Sequence, residues 1–392
     1  MRRIRGSKIL IYAFFQIFIL AIARSIIAPL IPLISGQLGV GLDYIGSAIS
    51  LSVFALFFVS LTTGNLIELI GLKNVLYIGL GTNFAGSIFL FFSHTFPVFI
   101  LAYFLMELGV GMLIIGNLSI VGTFYHRNRT SSLLKVNFGN TAAFILAPLL
   151  VSLILYIGIG WRYYYIIHPA LLLILALILW RMDVPRHVRV DTSLRKLFAA
   201  NKKIITNPAF ILCGMIILFY VSVMNTFYVW FTSYFTSIDI SLNISSLFLS
   251  IYGLAIFLGM LLRNKLIKHF KKKILLLYSF IISFFLLLGI LFIDNLIAKI
   301  ILIFMFGIAV AGNFTITFSI SSGLFPKYTS SASGITVAFA NVGMMIFQYF
   351  SGYMSEHFSR YSVLYINIAL LLVLTVLTAF LSYHRKFQMQ RP

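Results

Sequence analysis

Charged side chains are scarce in this 392-residue sequence: Asp, Glu, Lys and Arg make up 9% of it, and only eight residues are acidic. Soluble domains carry about 25% charged residues, so this chain could not keep a solvated surface in water. Cysteine is nearly absent. Cys213 stands alone, which excludes an internal disulfide framework, and no Cys/His cluster has metal-ligand spacing, so no metal is expected. No Walker sequence occurs, and Gly79-Leu80-Gly81 has no βαβ surroundings that would make it a nucleotide fingerprint. ATP is therefore not expected as a direct energy source, and no cofactor is expected at all. What is abundant is apolar: 61% of residues are hydrophobic, 40 are phenylalanine, and mean hydropathy is +1.06. The expected solvent is a bilayer. The start, Met1-Arg2-Arg3-Ile4-Arg5, looks like the basic region of a signal peptide. The apolar run behind it is too long for one and lacks a small-residue cleavage site, so it reads as a retained first span.

A membrane helix needs about 20 mainly apolar residues. Twelve such runs can be marked: 9–34, 44–66, 74–93, 97–123, 131–157, 162–182, 207–236, 244–263, 274–293, 297–320, 330–355 and 361–383. They are called spans one to twelve below. In lipid the backbone must satisfy its own hydrogen bonds, so long apolar runs predict helices. Nothing alternates over about 10 residues as a transmembrane β-barrel strand would. The net charge of +21 could point to nucleic acid, but its placement argues otherwise. With the N-terminus inside, 25 of the 29 Lys and Arg fall in inner segments and only Arg162, Lys299 and Arg360 in outer ones; Arg24 lies within span one. That bias predicts both termini cytoplasmic in a multi-pass cell (plasma) membrane protein, and explains the basicity without a nucleic-acid partner.

The longest polar stretch, 183–206, separates spans six and seven and is strongly basic. The expected organisation is an N-terminal bundle at 1–182, this linker, and a C-terminal bundle at 207–392. The halves echo one another at an offset of about 200: Gly64-Asn65-Leu66-Ile67-Glu68-Leu69-Ile70-Gly71-Leu72-Lys73 faces Asn264-Lys265-Leu266-Ile267-Lys268-His269-Phe270-Lys271-Lys272-Lys273. Arg129-Thr130-Ser131-Ser132 likewise faces Tyr328-Thr329-Ser330-Ser331. Paired six-span repeats suggest a transporter with its site near the midplane.

The segment after span two resembles the signature of the major facilitator superfamily, with Gly64, Glu68, Gly71 and Lys73 matching it and Glu68 standing for the usual Asp. Gly160-Trp161-Arg162 and the pair Arg127/Arg129 are similar to further family features, and the resemblance runs over essentially the whole chain. It implies an all-α membrane protein, twelve transmembrane helices in two pseudo-symmetric six-helix bundles that rock around a central cavity in alternating access. Spans 1, 2, 4, 5, 7, 8, 10 and 11 would line that cavity, and 3, 6, 9 and 12 would lie outside it. The resemblance also implies that Glu68 docks near Ser330–Ser333 as a conformational latch. At the C-terminal end of a helix, a carboxylate costs about 0.3–1 kcal/mol; Lys73 or a neighbouring helix N-terminus would offset this.

Composition of the spans agrees with that division. Span six (Leu171–Leu177), span nine (Ile274–Leu277) and, apart from Asn367, span twelve are apolar as lipid-facing helices should be. Span three, with Asn83, fits less well. Candidate cavity-lining residues are Asn137, Asn225, Tyr228, Asn313, Asn341 and Gln348. His168, before Pro169, is expected to be structural.

Two ionisable residues lie deep: Arg24 in span one and Glu107 in span four. A charge at the bilayer centre costs about 2.5–3.5 kcal/mol on insertion scales, so it needs a partner or a cavity. Spans one and four run in opposite directions, and both residues fall roughly 4–5 Å to the outer side of the midplane. Equal depth predicts that they face the cavity and approach one another. Desolvation favours a neutral acid and an adjacent guanidinium favours its carboxylate, so making and breaking this contact would switch proton affinity. The other reading is a fixed ion pair joining two helices. Span one's Arg24, followed by Pro29 and Pro32, resembles some exporters of the family. Leu105 and Ala147-Pro148, with Val151 and Ser152, depart from the Arg and the glycine-rich Gly-Pro run of its drug antiporters.

The expected function is therefore proton-coupled export of small organic solutes or drugs by a secondary transporter, not an enzyme. The alternative is an uptake carrier, symporter or uniporter, for a small organic anion held by Arg24. A non-transporting receptor or membrane enzyme would need a soluble domain or a catalytic constellation, and the sequence shows neither. Expected partners are a small-molecule substrate, protons and membrane lipid, with a monomer as the working state.

Overall fold

The computed structural model describes residues 2–124, 129–182, 202–325, 329–359 and 361–383, and their side chains apart from those of 2–7, 120–124, 129–135, 137 and 329–331. Among the described residues the regular structure is helical throughout, with no strand. Twelve helices are long and apolar enough to cross a membrane: Lys8–Leu38, Leu42–Ile70, Leu72–Phe91, Phe96–Ser119, Phe138–Ile157, Trp161–Trp180, Pro208–Thr236, Leu242–Leu266, Lys272–Phe292, Leu296–Gly323, Ala332–His357 and Ser362–Tyr383. They coincide in order and number with the twelve apolar runs of the sequence.

Two of these spans are interrupted, and local chemistry accounts for each. Span one divides into Arg2–Ser25 and Ile27–Leu38. Proline has no N–H to offer the carbonyl four residues back, so Pro29 leaves Ser25 without its helical donor and the ladder lapses there. Ile26 itself keeps helical dihedrals. Span ten divides into Leu296–Val310 and Asn313–Gly323, and no proline is present. The interruption comes from Gly312, whose φ of +76° is left-handed, a conformation open to glycine at no steric cost. At the other end of span ten, Asn295 is an N-cap whose side chain accepts from the Ala298 N–H at 3.0 Å.

The chain divides into two compact units, Met1–Val190 with Phe235–Ser250, and Asp191–Tyr234 with Ile251–Pro392. In the first, Leu20, Leu56, Leu76, Leu113, Leu172 and Leu175 share a buried core. Spans three and four approach closely because small residues face each other. A Cβ on Gly109 would lie 2.5 Å from the Asn83 nitrogen and 2.7 Å from the Gly79 oxygen, and one on Gly86 would strike the Met106 backbone. In the second unit, Phe227 packs on Phe306 and Tyr252 with ring centroids 4.8 and 5.0 Å apart, a spacing suited to aromatic attraction.

The outward faces of spans six, nine and twelve are broad and apolar. Leu173, Ile174, Leu177 and Ile178 form one such stripe, and Tyr278, Ile282 and Phe285 another. Contiguous apolar surface on this scale does not persist in water. In span three, which fits the outer-helix pattern less well, Asn83 is fully buried inside the first unit.

Candidate functional site

The candidate site is built on spans one and four of the first unit. Arg24 sits in the last turn of Arg2–Ser25, beside the Ser25 carbonyl that Pro29 leaves without its helical donor. Its Nε donates to Glu107 Oε1 at 2.7 Å, a charge-assisted bond at the short end of the normal range. The two residues predicted to lie at equal depth are thus brought into direct contact. Their surroundings are unequal: the Arg24 side chain is 31% exposed and that of Glu107 only 1%. Glu107 Oε2 is buried and has no hydrogen-bond partner among the described residues. A carboxyl group held through one oxygen, with the other dry, can keep its charge only while the guanidinium stays in place.

Neighbouring residues fix the frame of this pair. Tyr165 of span six donates its hydroxyl to the Ala23 carbonyl at 3.1 Å, tying span six to span one beside Arg24. Asn83 Nδ2 donates to the Met106 carbonyl at 2.9 Å, next to Glu107, and Asn83 Oδ1 lies 2.9 Å from His168 Nε2. His168 therefore joins spans three and six as a buried structural group. At the outer end, Arg162 donates to the Ser93 carbonyl at 2.9 Å and to Gln37 Oε1 at 2.8 Å, while its guanidinium lies 4.6 Å from the Trp161 ring centre. Gln37 Oε1 also accepts from Trp161 Nε1, so Gly160-Trp161-Arg162 fastens span six to the end of span one.

The signature after span two is arranged as a tight reversal. Gly71, at φ +87°, is the single residue between Leu42–Ile70 and Leu72–Phe91. Gly64 faces open space and Glu68 is exposed in the last turn of span two. Lys73 is committed elsewhere than to Glu68: its Nζ donates to the carbonyls of Trp180 at 3.1 Å and Met182 at 3.0 Å, capping the C-terminal end of span six. The side chains of Ser330 and Ser331 lie outside the described residues.

The candidate cavity residues separate into different environments. Asn225 is half-buried and donates to the Val221 carbonyl of its own helix at 2.9 Å. Gln348 is buried and accepts from Trp230 Nε1 at 2.9 Å, and Asn313 is buried and donates to Ser279 Oγ at 2.7 Å. Both join helices within the second unit. Tyr228 and Asn341 are buried, and the side chain of Asn137 lies outside the described residues.

Sequence reasoning missed several buried polar groups. Arg263 directly precedes a lysine-rich loop and Lys299 falls in an outer segment of the sequence, yet they are 6% and 3% exposed. Lys299 Nζ donates to the Tyr234 hydroxyl at 3.0 Å. Tyr12 and Gln16 of span one and Asn117 of span four are also buried, and the Gln16 amide finds no partner among the described residues. Neutral polar residues inside apolar runs leave little sequence signal; an arginine before a lysine-rich loop leaves a misleading one.

Helices of this length and composition, in two six-helix bundles, define a multi-pass membrane protein. The chain belongs to the Major Facilitator Superfamily, whose profile matches residues 13–327 and 246–392. It is similar to Protein TsgA homolog of Buchnera aphidicola subsp. Baizongia pistaciae (strain Bp), at 25% identity over 304 residues and 76% of each chain. Among solved structures it resembles a bacterial homolog of the human lysosomal transporter Spinster, in an inward-facing and unoccupied conformation, with a TM-score of 0.80, 16% identity and 99% of each chain covered. It also resembles the nucleoside transporter NupG, with a TM-score of 0.80 and 16% identity over 97% of this chain and 100% of that one. A D-xylose-proton symporter gives a TM-score of 0.74 and 14% identity over 94% of this chain and 96% of that one. At these identities the structural likenesses speak for the fold alone.

Proposed function

We propose that this chain is a secondary active transporter working by alternating access, in which Glu107 takes up and releases a proton while Arg24 governs when it does so. The observation that carries the reading is the asymmetry of the Glu107 carboxylate, with Oε1 on the Arg24 guanidinium and Oε2 buried without a partner. Withdrawing Arg24 leaves an acid that is stable only when protonated; returning it expels the proton. A purely structural ion pair would be served better by a carboxylate with both oxygens bonded.

The direction proposed is export of a small organic solute, from the likeness of Arg24, Pro29 and Pro32 to the first span of some exporters. The second reading is uptake of a small organic anion. It is favoured by the exposure of Arg24, which commits only its Nε to Glu107 and leaves the rest of the guanidinium for a substrate carboxylate or phosphate. In either direction the 25-to-3 distribution of Lys and Arg supports cytoplasmic termini in a cell membrane. Gly64, Glu68, Gly71 and Lys73 are proposed to bias the conformational equilibrium, with the exposed Glu68 as the docking group.

The test is Glu107→Gln in proteoliposomes loaded with a pH-sensitive dye, using a solute selected by thermal stabilisation of the purified protein. Gln keeps the shape and can still accept from Arg24, so the protein should fold. Solute-driven proton movement should vanish while solute counterflow persists. Full proton coupling by this variant would exclude Glu107 as the coupling group.

A further inference from the structure

The interruption of span ten strands backbone oxygens in the middle of a membrane helix. In a continuous helix the Ala309 carbonyl would accept from the N–H of residue 313, and Ala311 from that of residue 315. The left-handed Gly312 removes those donors. Arg263 of span eight supplies replacements: Nη2 donates to the Ala309 carbonyl at 2.6 Å and Nε to the Ala311 carbonyl at 3.1 Å. The same guanidinium reaches span nine, donating to Ser279 Oγ at 3.0 Å and to the Leu275 carbonyl at 3.4 Å. Ser279 in turn accepts from Asn313 Nδ2 at 2.7 Å and donates to the Ala309 carbonyl. From span seven, the Tyr220 hydroxyl donates to the Val310 carbonyl at 3.0 Å.

This set of oxygens carries no full negative charge. Among the described residues no carboxylate pairs with Arg263, although its side chain is buried. Three carbonyls and a hydroxyl therefore solvate a full positive charge, helped by the partial negative end of Leu296–Val310. Unwound carbonyls at the end of a half-helix are how broken transporter helices hold monovalent cations. Space is closed as tightly as charge: a Cβ on Gly312 would lie 2.9 Å from Arg263 Cγ.

We propose that the break in span ten is a monovalent-cation site whose permanent occupant is the guanidinium of Arg263, and that this charge fixes the broken segment in one conformation. The site was built for a cation and is filled from within the chain. It stands independently of any role for Glu107. Removing the side chain would leave oxygens that bind a small planar cation from solution.

The experiment follows amide hydrogen exchange over residues 309–316 in the purified full-length protein. Arg263→Ala and the uncharged, similarly long Arg263→Met should each raise exchange there at least tenfold over the wild type. Arg263→Lys should retain part of the protection. Methylguanidinium at low millimolar concentration should restore protection to Arg263→Ala and leave the wild type unchanged, whereas the neutral isostere methylurea should do nothing. Wild-type protection in Arg263→Met, or equal rescue by methylurea, would overturn the proposal. Should Arg263→Ala fail to fold, Arg263→Gln provides the second arm. It keeps two amide donors without the charge, so exchange must rise in this variant too, and wild-type exchange would refute the cation pin.

Discussion

The Arg24–Glu107 contact predicts a thermodynamic cycle with a distinctive shape. The perturbations are Arg24→Met, Glu107→Leu and the double substitution. Two unit charges about 4 Å apart attract by about 4 kcal/mol at an effective dielectric of 20, and exposed pairs by only about 0.2–1 kcal/mol. Here Arg24 is 31% exposed and Glu107 is 1% exposed, so solvent screening reduces the coupling to about 2–3 kcal/mol. The single substitutions should differ. In Arg24→Met the buried carboxyl loses its one partner, a loss of about 1–3 kcal/mol or more for a charged group. In Glu107→Leu the half-exposed arginine can extend its stem and find water, so the loss is smaller, about 1 kcal/mol. The double substitution replaces a pair by apolar side chains of similar volume, which is often neutral or stabilising. In thermal unfolding of purified protein, about 2–4 °C accompanies each kcal/mol for a unit of this size. Arg24→Met should therefore fall by about 2–12 °C, Glu107→Leu by about 2–4 °C, and the double variant should return to near the wild-type value. Additive effects, within about 0.5 kcal/mol, would show that the two charges do not interact in the folded protein.

The glycine seam between spans three and four makes a second prediction: Gly86→Ala and Gly109→Ala should each destabilise by about 1–3 kcal/mol through overpacking against backbone atoms, read as a drop in unfolding temperature. Gly64→Ala, in open space, should be near neutral in the same assay. Cys213 is buried and alone, so a Cys213→Ala background allows single-cysteine labelling in whole cells. Lys268→Cys should react only with a membrane-permeant maleimide and Ser237→Cys with an impermeant one; the reverse pattern would invert the orientation. With a single cysteine placed instead at the half-buried cavity candidate Asn225, Glu68→Ala should change labelling between inward- and outward-open states, and an unchanged balance would remove Glu68 as a latch.

Much of the architecture could be read from the sequence because membrane helices report their existence locally. Each apolar run must form its own hydrogen bonds, so count, order and approximate ends followed from composition. Depth was legible for a related reason. Rise along a helix accumulates at a fixed 1.5 Å per residue, so Arg24 and Glu107 could be placed at one level without knowledge of their neighbours. The structural role expected of His168 rested on its span facing outward, and its bond to Asn83 supplies the physical form of that role.

What the sequence could not supply is direction around each helix axis and the identity of the facing helix, which depend on how all the helices pack. Lys73 reaches the end of span six rather than Glu68 because the one-residue turn at Gly71 brings those carbonyls within reach. Arg263 reads as one more loop charge until span ten is seen to break beside it, and a left-handed glycine in an apolar run is no different in sequence from any packing glycine. Composition and helical rise, additive along the chain, determined the solvent, the number of spans and the common level of Arg24 and Glu107. Which oxygen each buried cation meets was decided only by the tertiary structure, since that depends on azimuth and contact between segments far apart in sequence.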